Sequence, residues 1–432
     1  MTEVTEVNQS TDIPAIQEST IDKPAIQEST TDKSVEVRIM NQSQNSCVFI
    51  PGVDCDGNIL QDKMVTKIKK KNENTENEIM IGDIVKNIDS FTDFFAPIES
   101  TCDLTLGIID KYKNEISKCT ILGDGIKEEE QQKYISCKIK YVGEQTLYEY
   151  FTTIVQEGKP DYFISEFIRT HIFILNALLK LKSKNIIHFN LIQNNIVMKN
   201  NINMPIIVDF EHSFLVKEFD TTHSIEEKVD YYRPYFSKYT EHYKPWCIDI
   251  YFLTYMFSKL SAKIEKKEWY NEKVSKEIVD EILSNYFDRP DTDFLHVLFK
   301  EADKVEKIKN YFIDRYVGVD KLWKFMFEDL LKNTSSWDNY SITIMYFYVL
   351  KTYNLSTLPN AYIELLYDIV LSVPNERVAI TIKDCISKIQ NIFYNQSILF
   401  KTSNVPPSII DTIRMYIFTE SKQEEKLETN IE

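Results

Sequence analysis

The sequence predicts an α+β fold in two parts, a smaller strand-rich part followed by a larger helical one. Three observations predict it. Between residues 46 and 142, short β-branched and aromatic runs are separated by Pro, Gly and Asp turn signals. From residue 143 onward, apolar residues recur at helical spacing over long stretches. Between these, residues 186–213 hold two apolar runs that each deliver polar groups at their end. Ile186-Ile187 leads to His188 and Asn190, and Ile206-Ile207-Val208 leads to Asp209, with Asn195 and the run Ile196 to Met198 in between. A strand that ends in an amide or a carboxylate holds that group at the rim of a sheet, where ligands bind in many folds.

Bulk properties narrow the function classes. The 432 residues are 43% hydrophobic, with 25 Phe and 25 Tyr, enough for a sizeable core. A net charge of −16 argues against general binding to nucleic acid or to an anionic membrane, since both are polyanions. The seven Cys form no C-x-x-C pair and are odd in number, which favours reduced thiols inside the cell over a disulfide framework or a zinc site. No uninterrupted apolar run approaches the ~20 residues that cross a bilayer, and the amino terminus lacks a basic-then-apolar leader. A soluble, cytoplasmic protein is expected. Nine Gly is a low count, and the abundance of Asn, Ile and Lys fits an A/T-rich coding sequence.

Residues 1–45 read as a disordered tail. They carry a decapeptide repeat from Ile13 and again from Lys23, polar and free of aromatics, so they cannot bury enough surface to offset chain entropy. Strand candidates follow at Cys47-Val48-Phe49-Ile50 and Met64-Val65-Thr66-Lys67-Ile68, with turns at Pro51-Gly52 and Asp56-Gly57. Lys67 opens a lysine run with Lys69, Lys70 and Lys71 that could equally be a solvated face. Glu76 and Glu78 begin an amphipathic helix through Ile88. Residues 104–109 and 119–122 read as short strands. The alternation over 134–142 predicts another strand, Gly143 a hinge, and Thr146-Leu147 the start of a helix.

The clearest helix covers 163–182, where Phe167, Ile168, Ile172, Leu175 and Leu179 share one broad face. His171 on its flank reads as a core or surface histidine. After Glu211 comes a polar loop with Thr221, Thr222 and Ser224. A further apolar helix starts at Ile248-Asp249, and a Lys/Glu-rich helical insertion spans about 260–335. There, Trp269, Phe287, Phe312 and Trp323 are core candidates. The charged segment 420–432 is expected to fray.

The residues from His188 to Glu211 resemble the catalytic loop and metal-binding motif of protein kinases, H-R-D-L-x-x-x-x-N followed by D-F-G. His188, Leu191, Asn195, Asp209 and Phe210 match; Phe189, Asn190 and Glu211 depart. The resemblance implies a bilobal protein-kinase-like fold, with residues 46–142 as the small lobe and 143–419 as the large one. It also implies ATP and Mg²⁺ as ligands, with Asn195 and Asp209 on the metal. Lys67 stands where the family's phosphate-pairing lysine stands, and Glu78 is the preferred glutamate to anchor it. Glu211 is expected as a third metal ligand or as a neighbour that perturbs Asp209. His188 and Asn190 are the catalytic-loop candidates.

The departures bear on chemistry. Asn190 replaces the aspartate that accepts the substrate proton, and losing a general base typically costs about 10²–10⁴-fold in rate. Ile192 replaces a charge-stabilising lysine. Phe189 replaces the arginine that grips a phosphorylated loop, so no switching through Thr221, Thr222 or Ser224 is expected. The Gly-rich loop is missing, with only Gly52 and Gly57 near its place. Asp249 and Asp338 both resemble the aspartate that braces the catalytic loop, and spacing favours Asp249. Arg377 resembles the arginine of a buried ion pair late in the domain. Low Gly and a long C-terminal extension are similar to kinase-like proteins of large cytoplasmic DNA viruses. Three functions remain open: a weak divergent Ser/Thr kinase, a nucleotide-binding pseudokinase or scaffold, and a choline- or aminoglycoside-type phosphotransferase.

Overall fold

The computed structural model describes residues 36–395 except 44, 61–62, 123–131, 159, 201, 220–221, 239, 241–242, 244, 264–267, 289–293 and 354–357. The decapeptide repeat, Thr221 and the charged segment 420–432 lie outside the described residues. Strands β1 (Arg38–Gln42), β2 (Ser46–Ile50), β3 (Met64–Lys70), β5 (Ile98–Asp103) and β6 (Tyr134–Lys140) form one antiparallel sheet in the order β1-β2-β3-β6-β5. Helix α1 (Glu73–Val85) follows β3, and the short β4 (Phe95–Ala96) precedes β5. Strand β1 falls inside the stretch expected to be disordered: Val37 is buried, and Ile39 pairs with Phe49.

Alternation along β3 gives the sheet two chemically different faces. Ile68 joins an apolar cluster with Cys47, Phe49, Leu104, Ile108 and Ile116. Lys67 and Lys69, two residues apart, share the opposite face and both reach Glu78 on α1. The first face is covered by α2 (Leu106–Lys111) and α3 (Lys113–Ile116); the sequence suggested a strand at 104–109, and another at 119–122, which is a turn after α3. Thr105 caps α2 through its side chain, and the helical spacing of Leu104, Ile108 and Ile109 wins over their β propensity because that spacing fits the sheet's apolar face. Gly52 and Gly57 belong to the β2–β3 connection, so neither lies between β1 and β2.

Gly143 follows β6. A Cβ there would stand 2.2 Å from the Met198 carbonyl oxygen, so only glycine fits this close approach. Helix α4 (Leu147–Gln156) begins with a reciprocal capping box between Thr146 and Glu149, and α5 (Pro160–Lys182) is the core helix read from the sequence. By length and composition α5 could cross a membrane, yet 72% of its apolar window is buried inside this fold. There His171 stacks on Tyr346 at 4.1 Å and bonds the Tyr362 hydroxyl at 2.7 Å.

Strands β7 (Ile186–Ile187), β8 (Ile196–Lys199), β9 (Met204–Val208) and β10 (Phe214–Leu215) carry the motif region. The β8–β9 hairpin pairs Ile196 with Ile207, while β4 runs parallel to β9 and ties the lobes together. Helices α6 (Ile225–Phe236), α7 (Ile248–Tyr255), α8 (Ser261–Lys263), α9 (Lys276–Phe287), α10 (Phe294–Leu298), α11 (Ala302–Tyr316) and α12 (Trp323–Leu331) follow. Then come α13 (Trp337–Tyr353), α14 (Asn360–Val370), α15 (Pro374–Ala379) and α16 (Ile382–Asn395). Every residue of α7 is buried, and Trp269, Phe287, Phe312 and Trp323 are core residues as expected. The architecture is therefore α+β, a strand-rich amino-terminal region on a helical carboxy-terminal one, consistent with a kinase-like bilobal fold.

Candidate active site

Five charged side chains from three elements meet where the lobes join. Lys67 Nζ lies 2.7 Å from Asp209 Oδ1 and 3.3 Å from Glu78 Oε1. Lys69 bonds the other Glu78 oxygen and reaches Glu211 Oε2 at 2.9 Å. One carboxylate on α1 thus bridges two ammoniums, and each of those holds one acid of the Asp209-Phe210-Glu211 tripeptide. Lysines 70 and 71 are exposed, so the lysine run is split by strand register and is not one solvated face. Glu78, not Glu76, carries the contact with Lys67.

Electrostatics follow the geometry. Burial would lower the Lys67 ammonium, but Asp209 and Glu78 outweigh it and hold it well above its usual range. Burial likewise favours a neutral Asp209, and the Lys67 charge reverses this, keeping the acid ionised far below the ordinary carboxylate range. Lys69 does the same for Glu211. The carboxylates of Glu78, Asp209 and Glu211 lie within 4.8 Å of one another, a grouping that suits a cation. Two lysine ammoniums take that role here. Glu211, expected as a third metal ligand or as a neighbour that perturbs Asp209, pairs with Lys69 and belongs to this same three-acid group. Asp209 is the open member: its side chain is 31% exposed against 3% and 9% for Glu78 and Glu211.

The β8–β9 hairpin brings Asn195 and Asp209 to one end, one residue before Ile196 and two after its partner Ile207. Asn195 Nδ2 donates to the Asn190 carbonyl at 2.9 Å, which leaves its amide oxygen for another partner. Asp209 Oδ2 takes no hydrogen bond among the described residues. An amide oxygen and a carboxylate oxygen fit a hard cation such as Mg²⁺.

The catalytic-loop segment is held from behind. Asp338 at the start of α13 accepts the backbone N–H groups of His188 at 2.8 Å and Phe189 at 3.0 Å. Burial pushes this acid up to about 6 against those two bonds. Asp338 is the brace, not Asp249 as spacing suggested. Asp249 instead forms a buried pair with Arg377 at 2.6 Å and accepts Trp337 Nε1 at 3.2 Å. Both aspartates head apolar helices, so only the fold separates them. The helical segment expected as an insertion, about 260–335, therefore lies between Asp209 and Asp338.

His188 was a catalytic candidate. It is fully buried, packs on the Phe210 ring at 5.2 Å, and its Nε2 faces the Val208 carbonyl at 3.2 Å. Its ring thus lies inside the core, against Phe210 and the end of β9. Phe189 adopts a left-handed backbone (φ 67°) and sits among Phe214, Phe236 and Trp246 at 5.4–5.7 Å. The indole N–H of Trp246 donates to the Phe189 carbonyl at 3.3 Å. An aromatic cluster occupies the position where the resemblance expects an arginine.

Asn190 faces a cavity of about 430 Å³ whose walls include Tyr235, Tyr243, His212 and Lys238. The Tyr243 hydroxyl donates to Asn190 Oδ1. That bond uses the amide's acceptor and turns its N–H₂ away from Tyr243. Burial pushes the Tyr243 phenol up to about 12, so it stays a donor near neutral pH. Sequence reasoning missed Lys69, Tyr243 and the aromatic cluster. The alternation of β3 could have flagged Lys69, whereas Tyr243 lies 53 residues from its partner with no local signal.

No protein-family model and no curated protein matches the chain. Among solved structures it is similar to the crystal structure of a Toxoplasma gondii specific rhoptry antigen kinase domain, with a TM-score of 0.42, 7% identity, and coverage of 85% of this chain and 83% of that one.

Proposed function

We propose that this chain is a kinase-like protein that binds ATP with Mg²⁺ and has lost, or nearly lost, phosphotransfer. The observation that carries the reading is the Lys67–Glu78–Asp209 constellation beside an amide at position 190. Lys67 would pair with nucleotide phosphates, while Asn195 and Asp209 would hold the metal, which supplies charge neutralisation on phosphate oxygens. Asn190 can orient a hydroxyl but cannot take its proton, and Ile192 offers no charge to the moving group. Small-molecule phosphotransfer meets the same obstacle at 190. A nucleotide-free scaffold is the second reading, favoured by the Lys67 ammonium that already neutralises Asp209.

Titration calorimetry with Mg-ATP tests binding: saturable heat in the native protein and none in Lys67→Met is the expected result. Heat-free titrations of the native protein would leave the scaffold. Label transfer from γ-labelled ATP to generic protein and to choline-like acceptors should be at background. The double change Asn190→Asp with Ile192→Lys should create it, and strong transfer by the native protein would overturn the assigned loss.

A further inference from the structure

Lys69 is a buried lysine with two acidic partners and no counterpart in the motif read from the sequence. It is 1% exposed, and its ammonium lies between Glu78 on α1 and Glu211 just after Asp209. A lone buried charge is costly, so such an arrangement persists only when each group is paired. Lys67 and Lys69 point to the same side of β3, and the two acids they grip are themselves two residues apart. The pairing is therefore a matched double contact, strand to loop, with Glu78 in the middle. A third contact extends it: Asn77 on α1 donates to the Ser213 carbonyl at 2.7 Å and accepts the Tyr235 hydroxyl at 3.3 Å. Asp209 itself sits at φ 66°, a left-handed conformation unfavourable for a non-glycine residue, which the flanking contacts hold in place.

We propose that Lys69 and Glu211 form a built-in clamp that fixes the segment after Asp209 against β3 and α1, so that the nucleotide site is assembled before any ligand or modification arrives. Glu211 therefore replaces the motif's glycine as a positioning residue. Charge supports the assignment. Two ammoniums face three carboxylates, and the one excess negative charge belongs to a network whose exposed acid is Asp209. Lys69 neutralises Glu211 locally, so Asp209 is left as the acid that faces a cation. The affinity part of this inference rests on the nucleotide-binding reading; the clamp itself does not.

The test is the double variant Lys69→Met/Glu211→Gln, which removes one charge of each sign and leaves no new unpaired buried ion. Amide exchange of ligand-free protein should accelerate at least about tenfold at residues 210–216 while α13 keeps its native protection. Mg-ATP affinity should fall about tenfold, and Lys69→Arg should retain both native values. Native protection at 210–216 in the double variant would overturn the clamp. So would a uniform rise in exchange across α5 and α13, since that is general destabilisation. A native protein that binds no Mg-ATP defeats the nucleotide reading, and the exchange measurement still decides the clamp.

Discussion

His171 and His188 are folded away as neutral rings, and both contribute to the protein's response to acid. Burial pushes His171 from 6.5 to about 3 and His188 from 6.5 to about 4. His171 Nε2 and His188 Nδ1 are buried with no partner among the described residues, so a second proton on either ring has no acceptor. A folded pKa below the unfolded one gives stability that is present above 6.5 and lost as pH falls toward the folded value. Asp338 acts in the opposite sense. Raised from 3.8 to about 6, it contributes stability at low pH that is lost as pH rises through 6. Near pH 5 the unfolded chain takes up both of these histidine protons while the folded chain holds the Asp338 proton, so these three groups together bind about one more proton on unfolding. Their share of the slope is a loss of about 1.4 kcal/mol per pH unit on acidification, and His171→Gln should lower the measured slope by about that amount. Urea titrations between pH 4.5 and 5.5 measure both. An unchanged slope in the variant would show that His171 carries a proton in the folded protein.

At the scale of elements, the segment between Asp209 and α7 is fastened by packing. Phe189 and Phe214 join Tyr232 and Phe236 of α6 and Trp337 of α13 in one aromatic cluster. Ser224, one of three polar-loop residues through which no switching is expected, is the N-cap of α6. Its side chain accepts the Glu227 N–H at 3.2 Å, and Glu227 returns a bond to the Ser224 N–H at 2.8 Å. Ser224→Ala should therefore cost about 1 kcal/mol in thermal unfolding, whereas Thr222→Ala should not change ATP binding. A cost-free Ser224→Ala would show that α6 is held by the aromatic cluster alone. The motif strands and α5 were legible because their signals are local: period-2 or period-3.6 runs that end in polar residues. The brace was not, because Asp249 and Asp338 both open apolar helices and only tertiary contact assigns their partners. Residues 104–109 were misread because an apolar run that short fits a strand as well as a helix, and the face it covers lies on a distant strand.

Over the whole molecule, two apolar clusters divide the work. The larger one runs from α1 through the helical lobe, while the smaller one lies between the sheet and the α2–α3 segment. A small cluster buries little surface and gains from cross-links. Two are present among the described residues: Cys47–Cys119 joins β2 to the turn after α3, and Cys55–Cys102 joins the β2–β3 connection to β5. This corrects the expectation of reduced thiols, which rested on spacing and an odd count. Spacing fails here because the partners are 72 and 47 residues apart, brought together by the sheet. Cys137, Cys247 and Cys385 remain as buried thiols, which accounts for the odd number. The thiol argument for a reducing compartment falls with this correction. Closing loops of these lengths restricts the unfolded chain, and each bridge should contribute about 2–4 kcal/mol. Protein produced under oxidising conditions should give two cross-linked peptide pairs on non-reducing digestion and release three thiols only on unfolding. Reduction should lower the melting temperature and raise amide exchange first at 104–122, because that segment depends on the smaller cluster, while α5 keeps its protection. Seven alkylated cysteines in unfolded, unreduced protein would mean that apolar packing alone holds the α2–α3 segment on the sheet.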